Sequence, residues 1–262
     1  MGSKFKIVIL GAGNVAFALA SVLRNLDIPI QQIYARDVNQ LNAFCKRFLC
    51  DGTNKLDDIS TSADFYFLCV NDDSIAILSE QLSYFLPKDK IVMHTSGSRS
   101  KNEINNYFIN SANFYPLQTL TKSLEQNWKN IPIFIEANEE SFSKISELAK
   151  LLSTKIYRTN DELRIAIHVA AVFVNNFTNA NFIIANEILK SKNLELDILM
   201  PLINRSIESI QNKAPEDIQT GPARRNDMET IRLHQLFLEK FSDEIQEVYK
   251  SNTNFILNKF LK

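Results

Sequence analysis

A doubly wound parallel α/β sheet followed by an all-helical half is the architecture this sequence predicts. Three observations carry it. Short apolar runs alternate with helical periodicity through roughly the first 160 residues; a glycine-rich turn follows the first run directly; and the strand signal disappears beyond Asp161. The division is expected at 159/160, with 1–159 as the sheet domain and 160–262 as the helical one.

The first run, Lys6-Ile-Val-Ile-Leu10, reads as a buried parallel strand. Gly11-Ala12-Gly13-Asn14-Val15-Ala16 comes next, and helical periodicity then runs to Asn25. Gly11 permits the tight turn, Gly13 lets a phosphate approach the backbone, and Ala16 stands where a third glycine is common. The helix terminus offers unpaired N–H groups and about half a positive charge. With a second strand at the right distance, this is a Rossmann-type dinucleotide turn, and Gly11, Ala12, Gly13, Asn14 and Val15 are its diphosphate-binding residues.

The other elements come in order. Strands are expected over 30–36, 65–70, 90–95, 113–116, 131–136 and 155–158, with helices over 39–49, 74–85 and 139–152. The later half predicts a long helix over 162–190 and a second over 196–213. A third begins near Asn226, where Asn226 and Glu229 have capping-box spacing, with an interruption near Ser251.

Composition narrows the class. The 262 residues are 45% apolar and 23% charged, as in a soluble globular protein. A formal net charge of −1 gives no electrostatic case for nucleic acid or an anionic membrane. Cys45, Cys50 and Cys69 lack metal-ligand spacing, so no metal is expected and a reduced, cytoplasmic setting fits. No targeting segment is visible, and the apolar stretch 165–185 carries His168 and four asparagines, which argues against a membrane span.

The end of the second strand selects the coenzyme. Arg36 falls about 25 residues after Gly11, where the adenosine ribose is expected. A charge-assisted bond to a 2′-phosphate is worth roughly 1.5–3 kcal/mol, favouring NADP over NAD. Asp37, one position on, could instead face the ribose. Ligands of such sheets lie beyond the carboxyl ends of the strands, so Val70, Asn71, Thr95 and Ser96 border the same crevice. Asn71 and Ser96 suit the ribose or nicotinamide end, or else they are turn formers; Asp72-Asp73 reads as a cap for the following helix.

In the helical half, Asn175, Asn179 and Asn186 fall near the line of His168 on an ideal helical wheel. Their apolar flanks (Ile165, Ile167, Val169, Val172, Phe173, Val174, Phe177, Phe182) predict that much of this helix is buried. The polar stripe either pairs with neighbouring helices or lines a cavity. His168 is the best candidate proton donor, with His94 and His234 as alternatives. In Gly221-Pro-Ala-Arg-Arg-Asn-Asp227, two arginines precede a helix N-terminus and oppose its dipole. They could hold a substrate carboxylate, close a subunit interface or form a solvated basic loop.

The glycine turn, His94-Thr-Ser-Gly-Ser98, Tyr115-Pro-Leu-Gln118, the His168-to-Asn176 helix and the 221–227 motif together resemble a bacterial family of Rossmann-like proteins. Its helical C-terminal domain is of uncharacterised function, and it is related to the pyrroline-5-carboxylate reductase and 6-phosphogluconate dehydrogenase group. The resemblance covers nearly the whole chain. It implies an NADP-binding oxidoreductase, dimeric through the helical domain, with its active site in a cleft between domains. Related dehydrogenases carry a Lys four residues before a helix Asn; if that Asn is Asn176, Val172 stands in place of the Lys. Lys-assisted alcohol oxidation is then disfavoured.

The expected function is reduction of a small carbonyl or imine compound by NADPH. His168 would give the proton, Asn175 or Asn176 orient the substrate, Ser96 face the nicotinamide, and Arg225 pair with an acidic group. A non-catalytic NADP-binding sensor or scaffold is the alternative, and an NADP-linked hydroxy-acid dehydrogenase a third.

Overall fold

The computed structural model describes residues 5–122 and 126–261. Two compact units divide the chain, Met1–Val174 and Asn175–Lys262. The change from mixed to all-helical structure falls earlier, between Arg158 and Asp161.

In the first unit, β1 (Ile7–Leu10), β2 (Ile30–Tyr34), β3 (Asp51–Thr53), β4 (Phe65–Leu68), β5 (Ile91–His94), β6 (Asn110–Pro116), β7 (Ile133–Glu136) and β8 (Ile156–Arg158) form one sheet. Its order is β3-β2-β1-β4-β5-β6-β7-β8. The pairs are parallel except β6 with β7, which run antiparallel. Alternate residues of β1 serve opposite faces: Ile7 and Ile9 pack into one core, Val8 and Leu10 into the other. The first core is closed by α1 (Asn14–Asn25), α2 (Val38–Phe48) and, further on, α5 (Glu139–Leu152); the second by α3 (Ile75–Leu82) and α4 (Asn102–Asn105). Both faces being covered is why β1 is apolar at every position.

The expected strands and helices are present with ends moved by a few residues. Two strands or α-helices of the first unit were not expected. β3 is three residues long and contains Gly52, and α4 is a single turn; neither is long enough to carry a periodic apolar signal. Asp72 and Asp73 do not cap the helix they precede. Their carboxylates bind the next strand's exit turn: Ser98 Oγ donates to Asp72 Oδ2 at 2.6 Å, and Arg99 pairs with Asp73.

α6 (Asp161–Ala171) ends the first unit and leads into a π-helical stretch, Val172–Phe177. The ideal-wheel alignment of the asparagines with His168 therefore fails, because i→i+5 turns change the angle per residue. The expected burial is met only in part: Ile165, Val169, Phe173, Val174 and Phe177 are exposed in the single chain, whereas Ile167, Val172 and Phe182 are half-buried. Among the described residues, Asp161–Lys190 is the one helical run long and apolar enough to cross a membrane by length and composition.

The second unit holds α7 (Thr178–Lys190), α8 (Met200–Asn212), α9 (Pro215–Ile218), α10 (Met228–Leu238) and α11 (Asp243–Phe260). The cap of α10 is Asp227, accepting from Thr230 N at 3.1 Å, rather than Asn226 paired with Glu229. Asn226 instead takes a left-handed backbone, φ 56°. The last break falls between Leu238 and Asp243, so helix α11 passes through Ser251 without interruption.

Candidate active site

The nucleotide turn is built from β1 outward. Gly11 has φ 117°, and its N–H donates to Tyr34 O at 2.8 Å. A side chain there would run into the Cys69 carbonyl, so glycine is required sterically as well as conformationally. Gly13 is the opposite case: a Cβ built on it meets nothing within 4 Å, so the backbone is open to a ligand. Gly13 is also the N-cap of α1 and makes no side-chain cap bond, which leaves the first N–H groups available to an anion.

A cavity of about 560 Å³ adjoins this turn, and its lining includes Gly11, Ala12, Gly13, Arg36, Val70 and Asn71. Asn14 and Val15 form the first turn of α1, while Thr95 and Ser96 follow β5. Asp37 Oδ1 accepts from Gln40 N at 2.9 Å, so this carboxylate is committed to capping α2. Arg36, Asp37 and Gln40 all line the cavity at this strand end. Cys69 also borders the cavity, but burial pushes its thiol up to about 12 and keeps it protonated.

The exit turn of β5 lies beside that of β4, since Leu68 pairs with His94 in register. Ser96 Oγ accepts from Ser98 N and Arg99 N, each at 3.1 Å, and lies 3.3 Å from Ser98 Oγ, to which its O–H donates because the Ser98 proton goes to Asp72. His94 is fully buried: Asn113 Nδ2 lies 3.1 Å from its Nδ1, and burial together with nearby Arg164 lowers its pKa to about 4. With no surface exposed, this imidazole is out of a substrate's reach.

His168 lies on α6, and its Nδ1 is 3.0 Å from the Tyr115 hydroxyl, the two rings meeting edge-on. Gly97 makes room for the pair, since a Cβ there would stand 2.6 Å from His168 Nδ1 and 2.9 Å from Tyr115 Cζ. Tyr115 is almost buried at the end of β6, and burial raises its phenol above the ordinary range. Sequence reasoning reaches Tyr115 only as part of a motif and misses it as a site residue, because its partner is 53 positions away.

One turn before His168, Arg164 is 0% exposed. It pairs with Glu136 Oε2 at 2.6 Å, and also with Asp161 and the Arg99 carbonyl. Asp161 in turn accepts from Ser100 Oγ. Sheet, β5 exit turn and α6 are thus held together by one buried cation.

The profile of the family described as "NADP oxidoreductase coenzyme F420-dependent" matches residues 6–96, and that of a domain of unknown function matches residues 131–256. A solved candidate NADP oxidoreductase from Bacteroides fragilis is 31% identical, covering 97% of this chain and 98% of that one, with a TM-score of 0.90. The chain belongs to this NADP oxidoreductase family. Two further structures share the fold. A Thermotoga maritima protein is 19% identical over 98% of this chain and 100% of its own, with a TM-score of 0.73. An imine reductase from Myxococcus stipitatus in complex with NADP+ is 12% identical over the same shares, also with a TM-score of 0.73. No curated protein matches.

Within the family's nucleotide domain, then, the first unit gathers the glycine turn, Arg36, Val70 and Asn71 at one cavity, and His168 with Tyr115 and Gly97 at the β5 and β6 ends. Asn175, Asn176 and Arg225 belong to the second unit. Both asparagines are exposed in the π-helical stretch, and Arg225 is exposed with Asp227 Oδ2 at 4.0 Å. Arg224 lies over the Phe260 ring, 4.5 Å from its centroid. Arg36→Ala is expected to weaken NADPH binding about tenfold or more and leave NADH binding unchanged, as titration calorimetry would read. Equal losses for the two coenzymes would remove Arg36 from 2′-phosphate recognition.

Proposed function

We propose that this protein reduces a small carbonyl or imine compound with NADPH, and that His168 supplies the proton. The observation that carries the reading is the His168–Tyr115 pair seated against Gly97 at the same sheet edge as the glycine turn. Solved relatives in fold support it, among them an imine reductase with NADP+ and an Aspergillus terreus reductive aminase with NADPH4, cyclohexanone and allyl amine.

NADPH, when bound, supplies a hydride to the electrophilic carbon. The N–H groups at Gly11 to Val15 would hold its diphosphate, and Arg36 its 2′-phosphate. Val70, Asn71, Thr95 and Ser96 would bound its ribose and nicotinamide. His168 holds a proton for the substrate heteroatom, which becomes basic as the π electron pair moves onto it. Asn175 or Asn176 would orient the substrate and Arg225 would pair with an acidic group on it.

Two copies of the chain form the working unit in this reading. Among the described residues of the second unit, the buried apolar side chains are Ala223, Ile231, Leu238 and Ile245, whereas Ile183, Met200, Leu202, Leu236 and Phe255 are exposed. So thin a core calls for a partner surface. The same cover would serve the exposed face of the long helix, whose His168 and asparagines suit a protein contact better than lipid. The three cysteines are free, in keeping with a cytoplasmic protein.

NADPH oxidation across keto acids, aldehydes and cyclic imines tests the proposal. Turnover on one class, reduced by about 10²-fold or more in His168→Ala, is the expected result. NADPH binding without turnover on any of them would favour the sensor reading instead.

A further inference from the structure

We propose that Tyr115 is the positioning residue for His168: its hydroxyl donates to Nδ1, which fixes the neutral imidazole as the Nε2–H tautomer and makes Nε2 the atom that gives up the proton. The inference rests on the reading of His168 as the donor.

Three features carry it. The hydroxyl and Nδ1 are 3.0 Å apart, and among the described residues this is the hydrogen bond the phenol makes. Tyr115 belongs to β6, whose neighbours on both sides are paired strands, so its ring is carried by a rigid element, with Phe134 also near it at 6.4 Å between centroids. Gly97 removes the one Cβ that would separate the rings.

A neutral imidazole has one donor and one acceptor nitrogen, and the bond made by one decides the role of the other. A phenol with an ordinary pKa near 10 keeps its proton at neutral pH, and a buried O–H left without an acceptor costs about 1–3 kcal/mol. Donation from Tyr115 to Nδ1 satisfies both groups and leaves the hydrogen on Nε2.

The bond also accounts for the proton balance. Once the substrate carbon has taken up a hydride, the Nε2–H bond would break and the heteroatom–H bond would form. The phenol proton passes to Nδ1, so the imidazole stays neutral in its other tautomer and no imidazolate is produced. Water then reprotonates the phenolate, and the net reaction consumes one proton for each NADPH oxidised.

Long-range ¹H–¹⁵N correlation spectra of the unliganded chain test the tautomer directly. With His94, His168 and His234 as the three histidines, a His168→Gln variant assigns the signals. The wild type is expected to show His168 as Nε2–H, and Tyr115→Phe a mixture of tautomers, a kcat lower by about 10²-fold and an unchanged KM for NADPH. An Nδ1–H tautomer in the wild type would overturn the proposal even if Tyr115→Phe does not fold. So would an unaltered His168 spectrum in a folded Tyr115→Phe. Should no carbonyl or imine be reduced while the Nε2–H result holds, the reaction assignment falls and the Tyr115 contact stands.

Discussion

Replacing Arg164 with alanine is expected to lower the free energy of unfolding by about 3–5 kcal/mol. The guanidinium is fully buried and holds Glu136, itself 12% exposed, at 2.6 Å. It also joins Asp161 and the Arg99 carbonyl, so its removal leaves a buried carboxylate and a carbonyl without their cation. Urea denaturation would measure the loss. Arg164→Met combined with Glu136→Gln should recover a large part of it, because the uncompensated charge is then gone. A loss below about 1 kcal/mol would mean that this cluster does not anchor α6.

The two carboxyls of the cluster pull stability in opposite directions with pH. Burial raises Glu136, with Asp161 adding to the rise against the pull of Arg164. Its ionisation therefore costs stability as pH climbs above the ordinary range near 4.3. Burial also pushes Asp161 up, but the Ser100 hydroxyl and Arg164 outweigh it and the net shift is downward. Its contribution is complete above about 3.9 and is lost as pH falls through the lower folded value.

Gly97→Ala is expected to lower kcat by about 10²-fold with the far-ultraviolet circular dichroism retained. The added methyl would lie 2.6 Å from His168 Nδ1 and 2.9 Å from both His168 Cγ and Tyr115 Cζ, so one ring must move. Overpacking of this kind costs about 1–3 kcal/mol of stability. His168→Ala in the same chain removes the obstructed ring, so the double variant should regain stability without regaining turnover. A Gly97→Ala protein that turns over at the wild-type rate would show that the His168–Tyr115 contact is dispensable.

Much of the nucleotide site is legible in the sequence, and the reasons are local. Gly11 answers to a backbone angle of 117° and a collision with the Cys69 carbonyl, and Gly13 to open space above the chain. The demand at Gly11 restricts the residue type at one position, so it survives in a linear reading. The ribose question is half legible. Arg36 and Asp37 are adjacent in the sequence, and the structure adds that the Asp37 carboxylate accepts from Gln40 N at the start of α2.

The helical half is less legible. A wheel that aligns Asn175 with His168 assumes 100° per residue, and the π-helical stretch Val172–Phe177 interrupts that count. The apolar flanks predict burial, yet Phe173 and Val174 are exposed in the single chain; an amphipathic pattern records that a face is covered and not by what.

Taken alone, the order of residues determined the first strand–turn–helix with its glycine turn, the alternation that builds the sheet and the all-helical character of the C-terminal half. Each depends on neighbours within a few positions. Tertiary structure alone decided that His94 is enclosed and neutral, that Arg164 is buried among carboxylates, and that Tyr115 meets His168 across 53 residues. Those facts depend on which strand lies beside which and on where α6 docks, and packing across the whole domain sets both.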